Sequence, residues 1–383
     1  MSRFYDLVSK PVRELRGYVP NYAAGGNSVA LESRLIHLDS NENPFGPSPR
    51  ALEAMRAVLA ASSAYPDDDC GALRRKLADY HNLPTDQVVV TAGSTALLSL
   101  LCQTLLGPGL NAVTSERSFV VYAMAVQSTG AELIETPMCD DHFDLDAILR
   151  AITPETRLVL LANPNNPTGT MLDAVTVDTF LEAVPPHVVV VLDEAYFEFA
   201  SHFAGRRKVE YSHSLSYVRT GASVVVLRTF SKAHGLAGLR IGYGMGPAEL
   251  LGYCARMRNT YSVSSLAEVA AMAALDDLSH MGRAVYNNAA QAEILTTRLQ
   301  EIGFRVAPTA ANFVYCDVGS DASELALGLR SEGVKVRPLS AWGAPTCLRV
   351  SIGTPEQNQF FVDAMWKLCH RERRSFGGAG FGD

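Results

Sequence analysis

Four short apolar runs, Val88-Val-Val-Thr91, Leu158-Val-Leu-Leu-Ala162, Val188-Val-Val-Val-Leu192 and Val224-Val-Val-Leu227, each stop abruptly at a polar or glycine-bearing loop. Short runs with no polar alternation suit strands buried on both faces, as in parallel sheets covered by helices on either side. With further strand-like runs at 111–114, 132–136 and 241–245, they alternate with helical stretches. That alternation predicts an α/β fold with a mainly parallel sheet flanked by helices. In open sheets of this kind, ligands bind outside the carboxyl ends of the strands. The residues directly after each run therefore carry the chemistry to be read.

After Val224–Leu227 comes Arg228-Thr-Phe-Ser-Lys232-Ala-His-Gly-Leu-Ala-Gly-Leu-Arg240. A lysine beside hydroxyls, with an arginine eight residues on, suits a Schiff base with an aldehyde cofactor that carries a phosphate. Taken alone, the same segment is equally a strand, a turn and a solvated lysine. After Val188–Leu192 come Asp193 and, three residues on, Tyr196. An acid there can hold a pyridine nitrogen protonated, or simply cap the next helix. After Leu158–Ala162 the loop Asn163-Pro-Asn-Asn166-Pro-Thr-Gly169 is stiffened by two prolines and a glycine, and Asn166 can reach the same ring. After Val88–Thr91, Gly93-Ser94-Thr95 opens a helix that Gly107-Pro108 closes. Such a helix start offers free N–H groups and a positive dipole end to a phosphate, although Ser94 also suits an ordinary N-cap.

With Leu38-Asp-Ser-Asn-Glu-Asn43-Pro-Phe-Gly-Pro-Ser-Pro49 and Leu348-Arg349-Val-Ser-Ile-Gly-Thr354, these segments form an ordered set. Across roughly residues 10–368, the chain resembles the fold-type I aminotransferases dependent on pyridoxal phosphate, and among them the histidinol-phosphate aminotransferase family. Leu38–Pro49, Asn163–Gly169, Asp193–Tyr196, the lysine segment and Leu348–Thr354, five motifs in one order, are far more specific than any one alone. The resemblance implies roles residue by residue. Lys232 binds the cofactor and moves the proton, Asp193 pairs with the ring nitrogen, and Asn166 and Tyr196 bind the ring oxygen. Ser94, Thr95, Ser231 and Arg240 hold the phosphate, with Thr229 beside them. Phe119 stacks on the ring, or is otherwise core. On the substrate side stand Tyr18, Asn43, Arg349 and Arg337, with Tyr65 donated across a homodimer interface. The implied substrates are an amino donor, L-histidinol phosphate in this family, and 2-oxoglutarate, in histidine biosynthesis. Paired arginines suit a pocket that must take a phosphate and a carboxylate in turn.

The chain departs from the family pattern at Thr95-Ala96, where an acid is frequent, at Arg117 in place of a proline, and at His234 in place of a tyrosine. These leave the amino donor open. An aromatic or broad-specificity aminotransferase and a threonine-phosphate decarboxylase are rival readings within the same fold. A non-catalytic sensing module is the rival from another class; it would need a DNA-binding segment, for which the arm leaves no room, and the full lysine, aspartate and arginine set favours catalysis.

Composition sets the remaining bounds. The 383 residues, nearly half of them apolar, are ample for two or three domains. The expected division is an arm that also contributes to the small domain (1–45), a large cofactor-binding α/β domain (46–265), a small α+β domain (266–370) and a disordered tail (371–383). Strands of the small domain are expected at Phe304–Ala307, Phe313–Cys316 and Cys347–Ile352, after a helical region at 262–302. A net charge of −7 argues against nucleic acid as a partner. No apolar stretch has the length of a membrane span, and the polar start is not a signal peptide. Seven cysteines without Cys-x-x-Cys read as buried reduced thiols of a cytoplasmic protein. Nine scattered histidines show no metal-binding spacing.

Overall fold

A computed structural model describes residues 4–5, 7–15 and 35–376, with side chains given as far as residue 369. Tyr18 lies outside the described residues, as does the tail beyond Phe376. The strands are β1 (Ile36–His37), β2 (Val88–Thr91), β3 (Asn111–Ser115), β4 (Glu132–Thr136), β5 (Met138–Cys139), β6 (His142–Phe143), β7 (Thr156–Ala162) and β8 (Val189–Asp193). They continue with β9 (Val224–Thr229), β10 (Gly242–Met245), β11 (Arg305–Val306), β12 (Phe313–Asp317), β13 (Val334–Lys335), β14 (Arg337–Leu339) and β15 (Ala344–Ser351).

Seven strands form the large sheet in the order β2-β10-β9-β8-β7-β3-β4. Pairs β3/β4, β3/β7, β7/β8 and β8/β9 are parallel, and β10 alone runs antiparallel to its neighbours. The valine runs are continuous because both faces are covered. Alternation along each strand sends Val88, Val90, Val159, Leu161, Val190 and Val226 into one core. Their neighbours Val89, Leu158, Leu160, Val191, Val225 and Leu227 enter a second core on the opposite face. The seven expected strands all lie in this sheet, their ends shifted by a residue or two.

Helices start where the sequence offers a side-chain cap. Ser48, Asp144, Asp173, Ser264, Asp277 and Asp321 each accept a backbone N–H from the first turn of the helix that follows. Helix Ser265–Leu275 buries Ala267, Ala270 and Ala271 in the core of the large sheet. Helix Leu278–Ile302 carries the chain away, burying Leu295 and Leu299 in a separate core with Val314, Val350 and Phe361. That core backs the antiparallel sheet β11-β12-β15-β14. β1 returns the N-terminal segment to β13, in parallel.

Two expectations need correction. The seven cysteines are free thiols, but only five are buried: Cys139 is exposed and Cys369 half-buried. A two-residue strand in a surface hairpin has no second layer to cover Cys139. The tail also does not begin at residue 371, because helix Pro355–Phe376 runs through Arg371-Glu-Arg-Arg. Arginine and glutamate are good helix formers, and the glycines that follow are not.

Candidate active site

The carboxyl ends of β2, β7, β8 and β9 open onto one cavity of about 400 Å3. It gathers residues from segments far apart in the sequence. Ser94 and Thr95 begin helix Ser94–Leu105; Asn166 lies in the loop after β7; Asp193 ends β8, with Tyr196 beyond it. Thr229, Ser231, Lys232 and Arg240 come from β9 and the loop that follows, and Phe119 from the loop after β3. Arg337 and Arg349 reach in from the small sheet.

Asp193 is buried, and its Oδ2 accepts a hydrogen bond from the Tyr122 hydroxyl at 3.3 Å. Its Oδ1 has no partner. Burial pushes the carboxyl up to about 6, against the pull of the Tyr122 hydrogen bond. A buried carboxylate oxygen without a donor is costly; a protonated ring nitrogen is the donor it lacks. Asp193 does not cap a helix, since the next one, Phe197–Arg207, is capped at Tyr196. The Lys232 ammonium donates to the Ser40 carbonyl at 3.2 Å. Burial, and next the Arg349 guanidinium, lower it to about 7, while Glu42 opposes the shift. An amine balanced near neutrality can form a covalent link and serve as a base.

The phosphate end is built by close approach. Gly93 precedes helix Ser94–Leu105 at φ +84°, and a Cβ there would lie 2.7 Å from Arg240 Nη2. A Cβ on Gly242 of β10 would lie 2.4 Å from the Ser94 nitrogen. Two glycines thus let the arginine and the strand press against the helix start, whose N–H groups and dipole favour an anion. The Thr229 hydroxyl donates to Ser231 Oγ at 2.9 Å and accepts from the Ser231 N–H at 3.1 Å. Helix N-terminus, hydroxyls and guanidinium fit a phosphate; the orphaned Asp193 oxygen fits a pyridine nitrogen. The residues present match the expected cofactor.

At the substrate side, Arg337 and Arg349 are register partners on adjacent strands, both buried. Like charges directly opposite each other are destabilising in a sheet, so an anion bound between them is favoured. Arg349 donates to Asn166 Oδ1 at 2.7 Å and to the Asp39 carbonyl at 2.7 Å. With its oxygen engaged, Asn166 keeps its amide nitrogen as a donor for a ligand. Phe119 meets Tyr122 edge-on, ring centroids 5.6 Å apart.

The structure does not bring every expected residue together. Asn43 does not line the cavity; its amide nitrogen donates to the Ala233 carbonyl at 2.9 Å, so it fastens the backbone next to Lys232. Asn41, two residues earlier, lines the cavity instead and donates to the Tyr196 hydroxyl at 3.0 Å. Asn41 stands at φ +55°, a position asparagine tolerates. Tyr65 is exposed on this chain and stacks on Tyr261, ring centroids 4.6 Å apart. Sequence reasoning also passed over Tyr122, three residues along from Phe119, and Trp342, which lines the cavity from the turn between β14 and β15.

Behind the site, Glu194 Oε2 accepts from Arg228 Nη2 at 2.8 Å and from Nε at 3.0 Å. Ser212 and Ser214 donate to the same carboxylate, and the guanidinium lies 3.4 Å from the centroid of the Phe197 ring. Charge, hydrogen bonds and stacking together satisfy this buried pair, which anchors β8 to β9 just below Asp193 and Lys232. Among the described residues there is no metal-binding cluster and no helix long and apolar enough to cross a membrane.

Residues 33–365 match the model of the family aminotransferase class I and II. A protein named histidinol-phosphate aminotransferase 2, from Pseudomonas aeruginosa, is 41% identical over 373 residues, covering 96% of this chain and 99% of its own. One from Moorella thermoacetica, named histidinol-phosphate aminotransferase, is 40% identical over 335 residues, 87% of this chain and 85% of its own. The crystal structure of histidinol-phosphate aminotransferase from Sinorhizobium meliloti in complex with pyridoxal-5'-phosphate superposes with TM-score 0.84 at 27% identity, covering 97% of this chain and 99% of that one. The chain belongs to the class I and II aminotransferases, in the family of the histidinol-phosphate aminotransferases.

Proposed function

We propose that this chain is a pyridoxal-phosphate-dependent aminotransferase that moves the amino group of L-histidinol phosphate to 2-oxoglutarate. The products are imidazole acetol phosphate and L-glutamate. One observation carries the reading. Lys232 and Asp193 share a cavity with a phosphate-suited helix start and with two arginines in cross-strand register. The relatives named for this reaction support the choice of donor.

Bound pyridoxal phosphate would supply an aldehyde that joins amines covalently and a ring that draws electrons from the adjacent carbon. The chain's residues do the rest. Ser94, Thr95, Ser231 and Arg240, with Thr229 behind Ser231, hold the phosphate. Asp193 Oδ1 keeps the ring nitrogen protonated, and Tyr122 holds that carboxylate in place. Asn166 and Tyr196 donate to the ring oxygen, with Asn41 orienting the Tyr196 hydroxyl. Phe119 covers the ring. Lys232 Nζ would take the proton from the substrate α-carbon and, in the reverse half-reaction, return one there. Arg349 and Arg337 bind the donor phosphate, then the carboxylates of 2-oxoglutarate.

The test is glutamate formation from 2-oxoglutarate with L-histidinol phosphate, phenylalanine and O-phospho-threonine compared side by side. The account expects L-histidinol phosphate to give the highest kcat/KM by at least about tenfold, the worth of one good charge-assisted contact. A higher value with phenylalanine assigns the aromatic reading. Release of carbon dioxide from O-phospho-threonine without use of the keto acid assigns the decarboxylase.

We further propose that the enzyme works in the cytoplasm as a homodimer, with Tyr65 serving the neighbour's site. Tyr65 is an aromatic ring 81% exposed on the isolated chain and stacked on a second exposed tyrosine, Tyr261. Exposed aromatic pairs of this kind are enriched where subunits meet.

A further inference from the structure

Beyond the cavity, one buried carboxylate touches three parts of the molecule at once. Asp140 and Asp141 form the two-residue turn of hairpin β5/β6, at φ +47° and +62°. Two consecutive positive values are the signature of a type I′ turn, which favours Asn-Gly or Asp-Gly. Here the second position is an aspartate, and its side chain is 4% exposed. Asp141 Oδ1 accepts from Arg117 Nη1 at 3.0 Å, and Oδ2 from Arg305 Nη1 at 2.5 Å. Its backbone carbonyl accepts from the Thr170 hydroxyl at 2.8 Å.

Each contact leads toward the site. Arg117, itself at φ +50°, lies two residues before Phe119. Its carbonyl accepts from Asn165 Nδ2 at 3.0 Å, and Ser118 Oγ donates to Asn165 Oδ1 at 3.0 Å. Asn165 stands next to Asn166, and its nitrogen also donates to Thr168 Oγ1, whose hydroxyl is 2.9 Å from that of Thr170. Arg305 belongs to β11, the edge of the sheet that carries Arg337 and Arg349.

We propose that Asp141 is a positioning residue for the reaction, transmitting the placement of the small sheet to the Arg117–Phe119 and Asn163–Gly169 segments that flank the cofactor ring. It touches neither cofactor nor substrate. Its carboxylate is the shared acceptor of an arginine from each side of the cleft, and its main chain pins the loop of Asn166. The inner arm through Arg117 is largely shielded, while the Arg305 side chain is 56% exposed. The outer arm is therefore the weaker and more solvent-screened of the two. Removing the carboxylate leaves Arg117 on Glu116 at 3.1 Å and Arg305 on Asp317 at 3.8 Å, with no anion joining the two guanidinium groups across the cleft.

The inference rests on the reading of Phe119 and Asn166 as ring-flanking residues, and the test separates the two. Asp141→Asn is prepared as the holoenzyme, since asparagine tolerates the left-handed turn and keeps the shape. The dissociation constant of pyridoxal phosphate should rise about tenfold and kcat should fall by a similar factor, with KM for 2-oxoglutarate within about twofold. Arg305→Gln should move the same constants in the same direction, and the double variant should add less than the two single effects together. Asp141→Glu should recover part of the loss. If Asp141→Asn lowers only the melting temperature, leaving cofactor affinity and kcat unchanged, Asp141 is a structural ion pair and the proposal is overturned. Phe119→Ala is the control. If it leaves cofactor affinity and absorbance unaltered while Asp141→Asn changes them, the reading of Phe119 fails and the linkage through Asn165 to Asn166 stands.

Discussion

At the scale of single residues, the site holds two groups that burial has brought toward each other's titration range. Asp193 is raised to about 6 and Lys232 lowered to about 7. The Lys232 shift has a sign that can be worked out. The unfolded chain keeps this lysine protonated up to about 10.5, while the folded chain releases the proton near 7. Between those values the unfolded state binds more protons, so cofactor-free protein should gain stability as pH rises from 7 toward 10. The ideal slope of about 1.4 kcal/mol per pH unit is an upper bound, because the amine faces an open cavity and is partly screened. Melting of the cofactor-free chain against that of Lys232→Met over this range checks it. The difference between the two should narrow as pH rises, and a constant difference would mean that the lysine is not perturbed.

At the scale of elements, the large sheet was legible because its signal is local. Val88–Val90, Leu158–Ala162 and Val224–Leu227 are apolar on every residue, a run that suits a strand covered on both faces. Helix starts rest on an equally local feature, since Ser264 and Asp173 each cap the helix that follows. Hairpin β5/β6 escaped notice because its strands have two residues each and its turn is Asp-Asp, not Asp-Gly. Asn41 and Asn43 exchanged roles for a similar reason. Both are buried asparagines in one segment, and only the path of the backbone decides which faces the cavity. The pairing of Arg337 with Arg349 depends on β14 lying beside β15 with an irregular register at Pro338/Leu339, which no local pattern encodes.

At the scale of the whole molecule, the cavity lies where the carboxyl ends of the large sheet meet one face of the small one. The opposite face of the small sheet is closed by its own core. Chemistry at the ring and recognition of the substrate anion are therefore supplied by different sheets. The proposed dimer adds a third contributor. Mixing Lys232→Ala with Tyr65→Ala, each nearly inactive alone, should restore about a quarter of the sites if subunits reassociate at random in pairs. No recovery, together with a sedimenting mass of one chain, would exclude a shared site.

The most direct test of the central claim is a single half-reaction followed by absorbance. The protein is loaded with pyridoxal phosphate and mixed with L-histidinol phosphate in the absence of any keto acid. The visible band of the bound cofactor should give way to that of its amine form and return when 2-oxoglutarate is added. A band that stays unchanged with L-histidinol phosphate, in protein that does bind the cofactor, would contradict the proposed function.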